Sequence, residues 1–316
     1  MRNWLKRMYR ETDLGFELLF PLVRLRDYFA RERWRSDKAS IDRQFLETFG
    51  RPMNWEEPRT LNEKLNWMKV YYRDQRLRDA ADKVAVRDLV RERVGEEYLI
   101  PLLGVWDRVR DIDWEGLPDE FVMKVNHGSG QNWVVRDKAR EDFAKVRRTF
   151  REWMAISHYA SSREWTYQGL KPRILAEQLL LDDEGAIPMD YKFHCFGGRA
   201  ECVQVDLDRA TAHKRNFYSL DWELLPFVWT EWWGEEEPKW PNGKAVERPG
   251  KLAEMIEIAE VLAEGFPLAR IDLYYCRGRV FFGEVTFFHG GGFERFEPGE
   301  YDLMYGEMVP LPERSC

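Results

Sequence analysis

Two short stretches of the chain hold residues whose types and spacing could do chemistry. In Phe121–Val125 (FVMKV), Lys124 sits within an apolar run that reads as a buried strand. A lysine placed there loses its hydration, and either has an anionic partner or becomes neutral. The adjoining Gly128–Ser129–Gly130 can bend freely and turn backbone N–H groups toward a ligand, as phosphate-cradling loops do. Lysine and loop together could clamp a triphosphate. The plainer reading is a hairpin whose lysine snorkels to solvent.

The second stretch pairs Arg270–Ile271–Asp272 with Glu284–Val285–Thr286. Residues two apart in a strand share a face, so Arg270 points with Asp272 and Glu284 with Thr286. A three-residue loop, Arg277–Gly278–Arg279 with Gly278 at positive φ, sets Asp272 opposite Glu284 and Arg270 opposite Thr286. Facing carboxylates repel unless a cation lies between them. Magnesium suits the place, because it takes a few carboxylate oxygens and completes its shell with water and phosphate oxygens. Arg270 alongside could neutralise a transferring phosphate. An exposed hairpin of alternating charge is the alternative; the apolar Ile271, Leu273, Val285 and Phe287 argue instead for a covered sheet.

Elements must position these residues. Residues 1–80 read as helical, with Trp4, Leu5, Met8, Leu18, Leu19, Leu22 and Leu25 recurring at three- and four-residue steps. Thr60–Leu61–Asn62–Glu63 is a capping-box pattern opening a helix over 61–73. A helix over 79–93 carries Lys83 near its start, and 97–106 reads as extended. Strands follow at 121–125 and 133–135, helical spacing over 139–160, and an extended segment at 173–181. The last third reads as strands at 191–196, 200–206, 216–218, 268–275 and 280–287, with one helix at 251–264. This alternation has no strict βαβ repeat and predicts an α+β fold with antiparallel sheets. Trp229, Trp232, Trp233 and Trp240 gather near the acidic run 235–237, either as a packed aromatic loop or as a surface on which sugars stack.

Bulk properties narrow the classes. The 316 residues are 44% hydrophobic and 33% charged, the balance of a globular chain long enough for several lobes. A net charge of −7 disfavours nucleic acid as the main ligand. No apolar run is long enough to span a membrane, and the start lacks the features of a signal peptide. Arg and Lys outnumber acids over 1–40, so this stretch could rest peripherally on an anionic membrane, though a helix packed on its own domain is the simpler reading. Cys195, Cys202, Cys276 and Cys316 show no CxxC spacing and suit the free thiols of a cytoplasmic protein. The P-loop, the GxGxxG fingerprint and the HRD sequence are all missing.

The order and spacing of ADKVAVRDLV, EEYLIPLLGVW, LPDEFVMKVNHGSGQN, PRILAEQLL, MDYKFHCFGG and LARIDLYYCRGRVFFGEVTFFHGGG resembles the ATP-grasp superfamily. Within it, the chain is most similar to the TupA-like group of teichuronopeptide biosynthesis, over roughly residues 45–300. The resemblance implies two α+β lobes gripping ATP between antiparallel sheets, preceded by a helical region: 1–80 helical, 81–177 the small lobe with its phosphate loop, 178–316 the large lobe with its metal site. It implies ATP and Mg²⁺ as cofactors. Lys83 and Lys124 match the lysines holding the α- and β-phosphates, and Gly128, Ser129 and Gly130 match the loop closing over the triphosphate. The stretch 176–179 matches the hinge strand at the adenine edge, bringing Glu177, Gln178 and Leu179. Asp190 falls at the ribose position, and Lys192 faces the phosphates. Arg270 matches the arginine steadying an acyl phosphate, and Asp272 and Glu284 match the metal ligands.

Two departures stand out. Where many relatives have a metal-binding Asn after the last Glu, this chain has Thr286, a weaker ligand, and helices replace the usual amino-terminal α/β lobe. The resemblance implies a carboxylate–amine ligase working through an acyl phosphate on a uronic acid or amino acid of a bacterial surface polysaccharide. A phosphotransferase acting on a sugar hydroxyl is the rival. A glycosyltransferase using Asp206–Leu207–Asp208 as a metal motif, and a scaffold that has kept the fold, are further alternatives. His213, Lys214 and Arg215 form a cationic cluster suited to an acceptor carboxylate, or else a solvated turn.

Overall fold

The computed structural model describes residues 4, 7–9, 12–29, 36–208, 211–233 and 237–315. Of the residues named above, Leu5, Glu235, Glu236 and Cys316 lie outside these. The helices are α1 (Asp13–Asp27), α2 (Asp37–Phe49), α3 (Leu61–Tyr71), α4 (Gln75–Ala81), α5 (Val86–Arg93), α6 (Phe143–Ala155), α7 (His158–Ser162), α8 (Leu252–Ala263) and α9 (Glu300–Met308). The strands are β1 (Leu102–Trp106), β2 (Phe121–Val125), β3 (Asn132–Val135), β4 (Ile174–Gln178), β5 (Asp190–Phe196), β6 (Arg199–Leu207), β7 (Lys214–Tyr218), β8 (Val228–Thr230), β9 (Trp232–Trp233), β10 (Glu237–Pro238), β11 (Leu268–Cys276), β12 (Arg279–Thr286) and β13 (Arg295–Glu297). The chain divides into two compact units that interleave along the sequence. One comprises Met1–Ser36, Asp82–Val84 and Ile100–Leu179; the other comprises Asp37–Ala81, Ala85–Leu99 and Leu180–Cys316.

The first unit is built on a four-stranded antiparallel sheet in the order β1-β4-β2-β3. Alternation in β2 sends Phe121, Met123 and Val125 into the core and leaves Val122 and Lys124 on the other face. Helix α6 covers that core with Val146, Phe150 and Met154, spaced four apart along one stripe. Truncating Phe150, which is fully buried, to alanine would cost about 3–5 kcal/mol. The helix expected over 79–93 is in fact two, α4 and α5, with a turn between them. Asp82 causes the break: its carboxylate accepts the Val84 N–H at 2.8 Å, a local bond that competes with helix, and also holds Asn126 and Arg173. Lys83 therefore sits on a turn rather than at a helix start.

The second unit is built on a five-stranded antiparallel sheet in the order β12-β11-β5-β6-β7. Helix α8 lies on one face, where Cys195 of β5 is within 3.9 Å of the Ala259 carbonyl. The opposite face carries the charged residues. The capping box is formed as expected, Thr60 accepting from the Glu63 N–H and Glu63 reaching back to the Thr60 N–H, and it opens α3. Trp229, only 1% exposed, packs on Phe217 and Phe296 as core.

The β11–β12 turn differs from expectation while the pairing does not. The loop has two residues, not three: Cys276 pairs with Arg279, and Arg277 and Gly278 take φ of 50° and 73°. Positive φ at both central positions is the hairpin turn that suits the right-handed twist of the strands. Left alone, this loop would set Gly283 opposite Asp272. A bulge intervenes: Leu273 pairs with Phe282, Asp272 with Glu284, and Gly283 is the extra residue. A Cβ at 283 would lie 3.0 Å from the Asp272 carbonyl oxygen and 3.1 Å from the Tyr274 ring, so the smallest residue fits best.

Candidate active site

In the first unit Lys124 and Glu177, on adjacent strands β2 and β4, form an ion pair at 2.8 Å with both side chains largely buried. Of the two outcomes open to a lysine within an apolar strand, this is the anionic partner. The Lys83 amine donates to the Gly128 carbonyl at 2.6 Å, and its backbone N–H donates to the Asn126 carbonyl at 3.2 Å. The loop after β2 is thus held at its base, while Ser129 and Gly130 at its tip are exposed. Gly128 is pressed against His158 of α7, and a Cβ there would collide with the imidazole. His158 in turn meets the Gln131 side-chain oxygen at 3.0 Å, and His127 meets that of Asn126 at 3.2 Å. Burial holds both imidazoles neutral, each with its pKa pushed down to about 4. These loop supports were not foreseen, since nothing local to His158 ties it to a glycine thirty residues earlier. Leu179 lies just past the last ladder pair of β4, Phe121–Gln178, and the Gln178 N–H donates to the Pro101 carbonyl at 3.0 Å.

In the second unit the register places Asp190, Lys192, Arg270, Asp272, Glu284 and Thr286 on one face of the sheet. Arg270 is the centre of this group. It grips Asp272 with two parallel bonds of 2.7 and 2.8 Å, reaches Glu284 at 3.4 Å and donates to the Thr286 hydroxyl at 3.2 Å. Burial presses its pKa down, but the charges of Asp272 and Glu284 more than reverse this and raise it. Lys192, on the neighbouring strand, pairs with Asp190 and lies 3.4 Å from Asp272 and 3.8 Å from Asp206. The expected facing of the two carboxylates therefore holds in the register, with Arg270 seated between them.

Asp272 and Glu284 suit magnesium, whose usual protein share is one or two carboxylates, the remainder being water and phosphate oxygen. Among the described residues no group of three or more His, Cys, Asp or Glu side chains is placed to hold a metal ion, so the pair is the relevant donor set. Arg270 would have to give up part of its hold on them.

Other candidates fare differently. Asp206 is buried and bonded to Arg215 at 2.9 Å, whereas Asp208 is exposed beyond the end of β6, so the two do not form a metal pair. The cationic cluster 213–215 also breaks up. Strand alternation separates Lys214 from Arg215, and Arg215 is buried on Asp206 and Glu294, with its guanidinium 4.2 Å from the Trp240 ring centre. Beside Arg270, as its partner on β5, is His194, whose ring lies 4.8 Å from that of His289; both imidazoles are kept neutral by burial and by nearby cations. After β12 the chain makes a turn in which Gly290, Gly291 and Gly292 all have left-handed φ. Helix α3 clamps it: Asn66 donates to the Gly292 carbonyl at 2.7 Å, and the fully buried Lys69 donates to the Gly291 carbonyl. The triple glycine was visible in the sequence, but its partners were not.

Comparison with known proteins gives one decisive match, to a family described as TupA-like ATPgrasp, over residues 63–310. No curated protein matches. Among solved structures, the D-alanine–D-alanine ligase of Bacillus anthracis is 13% identical with a TM-score of 0.39, over 66% of this chain and 56% of that one. The ATP-grasp ligase PsnB, complexed with a phosphomimetic variant of its minimal precursor, Mg and ADP, is 11% identical with a TM-score of 0.40, over 78% and 65%. The D-cycloserine synthetase DcsG is 17% identical with a TM-score of 0.35, over 67% and 63%. The chain thus spans less than two thirds of the length of each, and at such scores these likenesses decide nothing about substrate. The family match covers most of the chain: it belongs to the TupA-like ATP-grasp family.

Proposed function

We propose that this protein activates a carboxylate with ATP and joins it to an amine, through an acyl phosphate. The observation that carries this reading is Arg270, held on one sheet face between Asp272 and Glu284. Lys83, Lys124 and the backbone of Gly128–Gly130 would hold the phosphates, with Gln178 and Leu179 at the adenine edge and Asp190 at the ribose. The ion pair with Glu177 aims Lys124. Magnesium on Asp272 and Glu284, with Thr286 beside them, would supply charge neutralisation at the transferring phosphate. A carboxylate oxygen attacks the γ-phosphorus and ADP leaves. Arg270 and Lys192 balance the negative charge of the acyl phosphate, and the amine then attacks the acyl carbon, expelling phosphate. A uronic acid or amino acid of a surface polysaccharide is the carboxylate we favour.

Hydroxylamine traps an acyl phosphate as a hydroxamate and leaves a sugar phosphate ester untouched. Incubation with ATP, magnesium and a panel of uronic and amino acids is expected to give ADP and hydroxamate together. A stable phosphorylated sugar without hydroxamate would replace this reading by the phosphotransferase.

We also infer a peripheral membrane contact through α1. Leu14, Leu18, Leu22 and Leu25 are 68%, 60%, 61% and 52% exposed, and their spacing of four, four and three puts them on one side of the helix. Phe16 and Phe20 stack on each other and line an apolar pocket with Val109 and Met154 in the same unit. Residues 1–40 hold ten Lys and Arg against six Asp and Glu, on a chain of net charge −7. An exposed leucine stripe on a basic segment is the pattern of a helix lying in an anionic lipid surface. Among the described residues no helix is long and apolar enough to cross a membrane.

A further inference from the structure

One cavity in the second unit involves none of the proposed ATP and metal ligands. It measures about 560 Å³, within the range of small-molecule sites. Its walls come from α2, from the start of β9, and from the chain running out of the glycine turn into β13. Gly290, on its rim, follows Thr286 by four residues, so the segment that carries the metal carboxylate goes straight on to form the pocket. That wall is fixed. Lys69 and Asn66 hold the Gly291 and Gly292 carbonyls, and Lys69 also lies 4.6 Å from the centre of the Phe293 ring.

The lining has a definite chemistry. Trp232 and Phe293 offer flat apolar surfaces, and Gln44 offers an amide. Arg295 is tied by its Nε to the Thr48 carbonyl at 2.6 Å, which leaves its outer N–H groups for a ligand's oxygens. Glu231 is matched by Lys239 at 2.7 Å. Glu47 has no hydrogen-bond or ion-pair partner among the described residues and is the carboxylate open to an ammonium group. Aromatic faces, donors for hydroxyls and one unmatched carboxylate suit an amine carried on a hydroxylated ring. The volume exceeds what a single amino acid would fill.

We propose that this pocket binds the amine substrate and that the amine is an amino sugar; the proposal rests on the ligase reading above. Hydroxylamine is small enough to reach an acyl phosphate without the pocket, so competition between the two nucleophiles reads the pocket alone. With ATP, magnesium, glucuronate and both hydroxylamine and glucosamine present, Glu47→Gln and Trp232→Ala are expected to lower the ratio of glucosamine amide to hydroxamate at least tenfold. An unchanged ratio in both variants overturns the proposal, as does a ratio that responds for alanine or glutamate but not for glucosamine. If the unaltered protein gives neither product with any carboxylate, the ligase reading has failed and direct binding decides the pocket. Saturation-transfer NMR should then show glucosamine, and not glucose, bound to the full chain and lost in Glu47→Gln. Equal signals from the two sugars, or none, refute it.

Discussion

Replacing Arg270 by methionine tests the central group most directly. Methionine keeps much of the apolar stem and removes the fork that makes two bonds to Asp272, one to Glu284 and one to Thr286. Asp272 is 4% exposed, so its charge cannot turn to water, and Lys192 at 3.4 Å becomes its nearest remaining cation. Breaking a buried pair from one side costs about 3–5 kcal/mol, and the surviving lysine argues for the lower end, about 3 kcal/mol. Adding Asp272→Asn removes the orphaned charge, so the double variant should be more stable than Arg270→Met alone. Magnesium should also favour the single variant, because the carboxylates have lost their competing guanidinium. At a hundredfold excess over its Kd the gain approaches about 2.7 kcal/mol. Urea unfolding followed by circular dichroism, with and without magnesium chloride, measures all three. A loss under about 1 kcal/mol, a double variant no better than the single, or equal magnesium effects on variant and parent would refute the reasoning. Turnover should fall far more than ATP affinity, since the arginine serves charge that develops during transfer.

Three further outcomes follow from other parts of the molecule. Lys124→Met should weaken ATP binding more than tenfold by calorimetry, and adding Glu177→Gln should restore stability but not affinity, because it removes only the stranded carboxylate. His127 and His158 have folded pKa values of about 4 against 6.5, so the unfolded chain binds more protons between those values; stability is full above pH 6.5 and falls as pH drops toward 4, by at most about 3 kcal/mol for each. A flat melting temperature from pH 7 to 4.5 would contradict this. Leu18→Glu with Leu22→Glu should abolish co-flotation with vesicles containing phosphatidylserine, and equal flotation of the unaltered chain with neutral vesicles would remove the electrostatic part of that contact.

How much could be read in advance depended on how local each cause was. Lys124 was legible because strand alternation and the cost of an unpaired buried charge are local rules, and its partner proved to be one strand away. Facing Asp272 and Glu284 was reached through a three-residue loop that the chain does not make; the bulge at Gly283 supplies the missing residue. The break between α4 and α5 was missed because helical spacing continues across it, while Asp82 is committed to partners 44 and 91 residues away. His158 under Gly128, and Lys69 behind the glycine turn, depend on contacts across 30 and 222 residues that no periodicity announces. Arg215 looked like a ligand for carboxylates and is one, for Asp206 and Glu294 of this chain.

The β11–β12 hairpin behaves as a counter. Eleven residues separate Asp272 from Glu284, eight of them matched in pairs and three left over, two in the turn and one in the bulge. What keeps the two acids on one face is the sum of unmatched residues, not where they sit. Drift in this segment is therefore constrained to compensated steps: a relative whose turn grows to three residues should have lost its bulge, and one with an unbulged β12 should have the longer turn. A single uncompensated insertion or deletion would leave every side chain intact and still separate the acids across the sheet, silencing the centre by arithmetic alone.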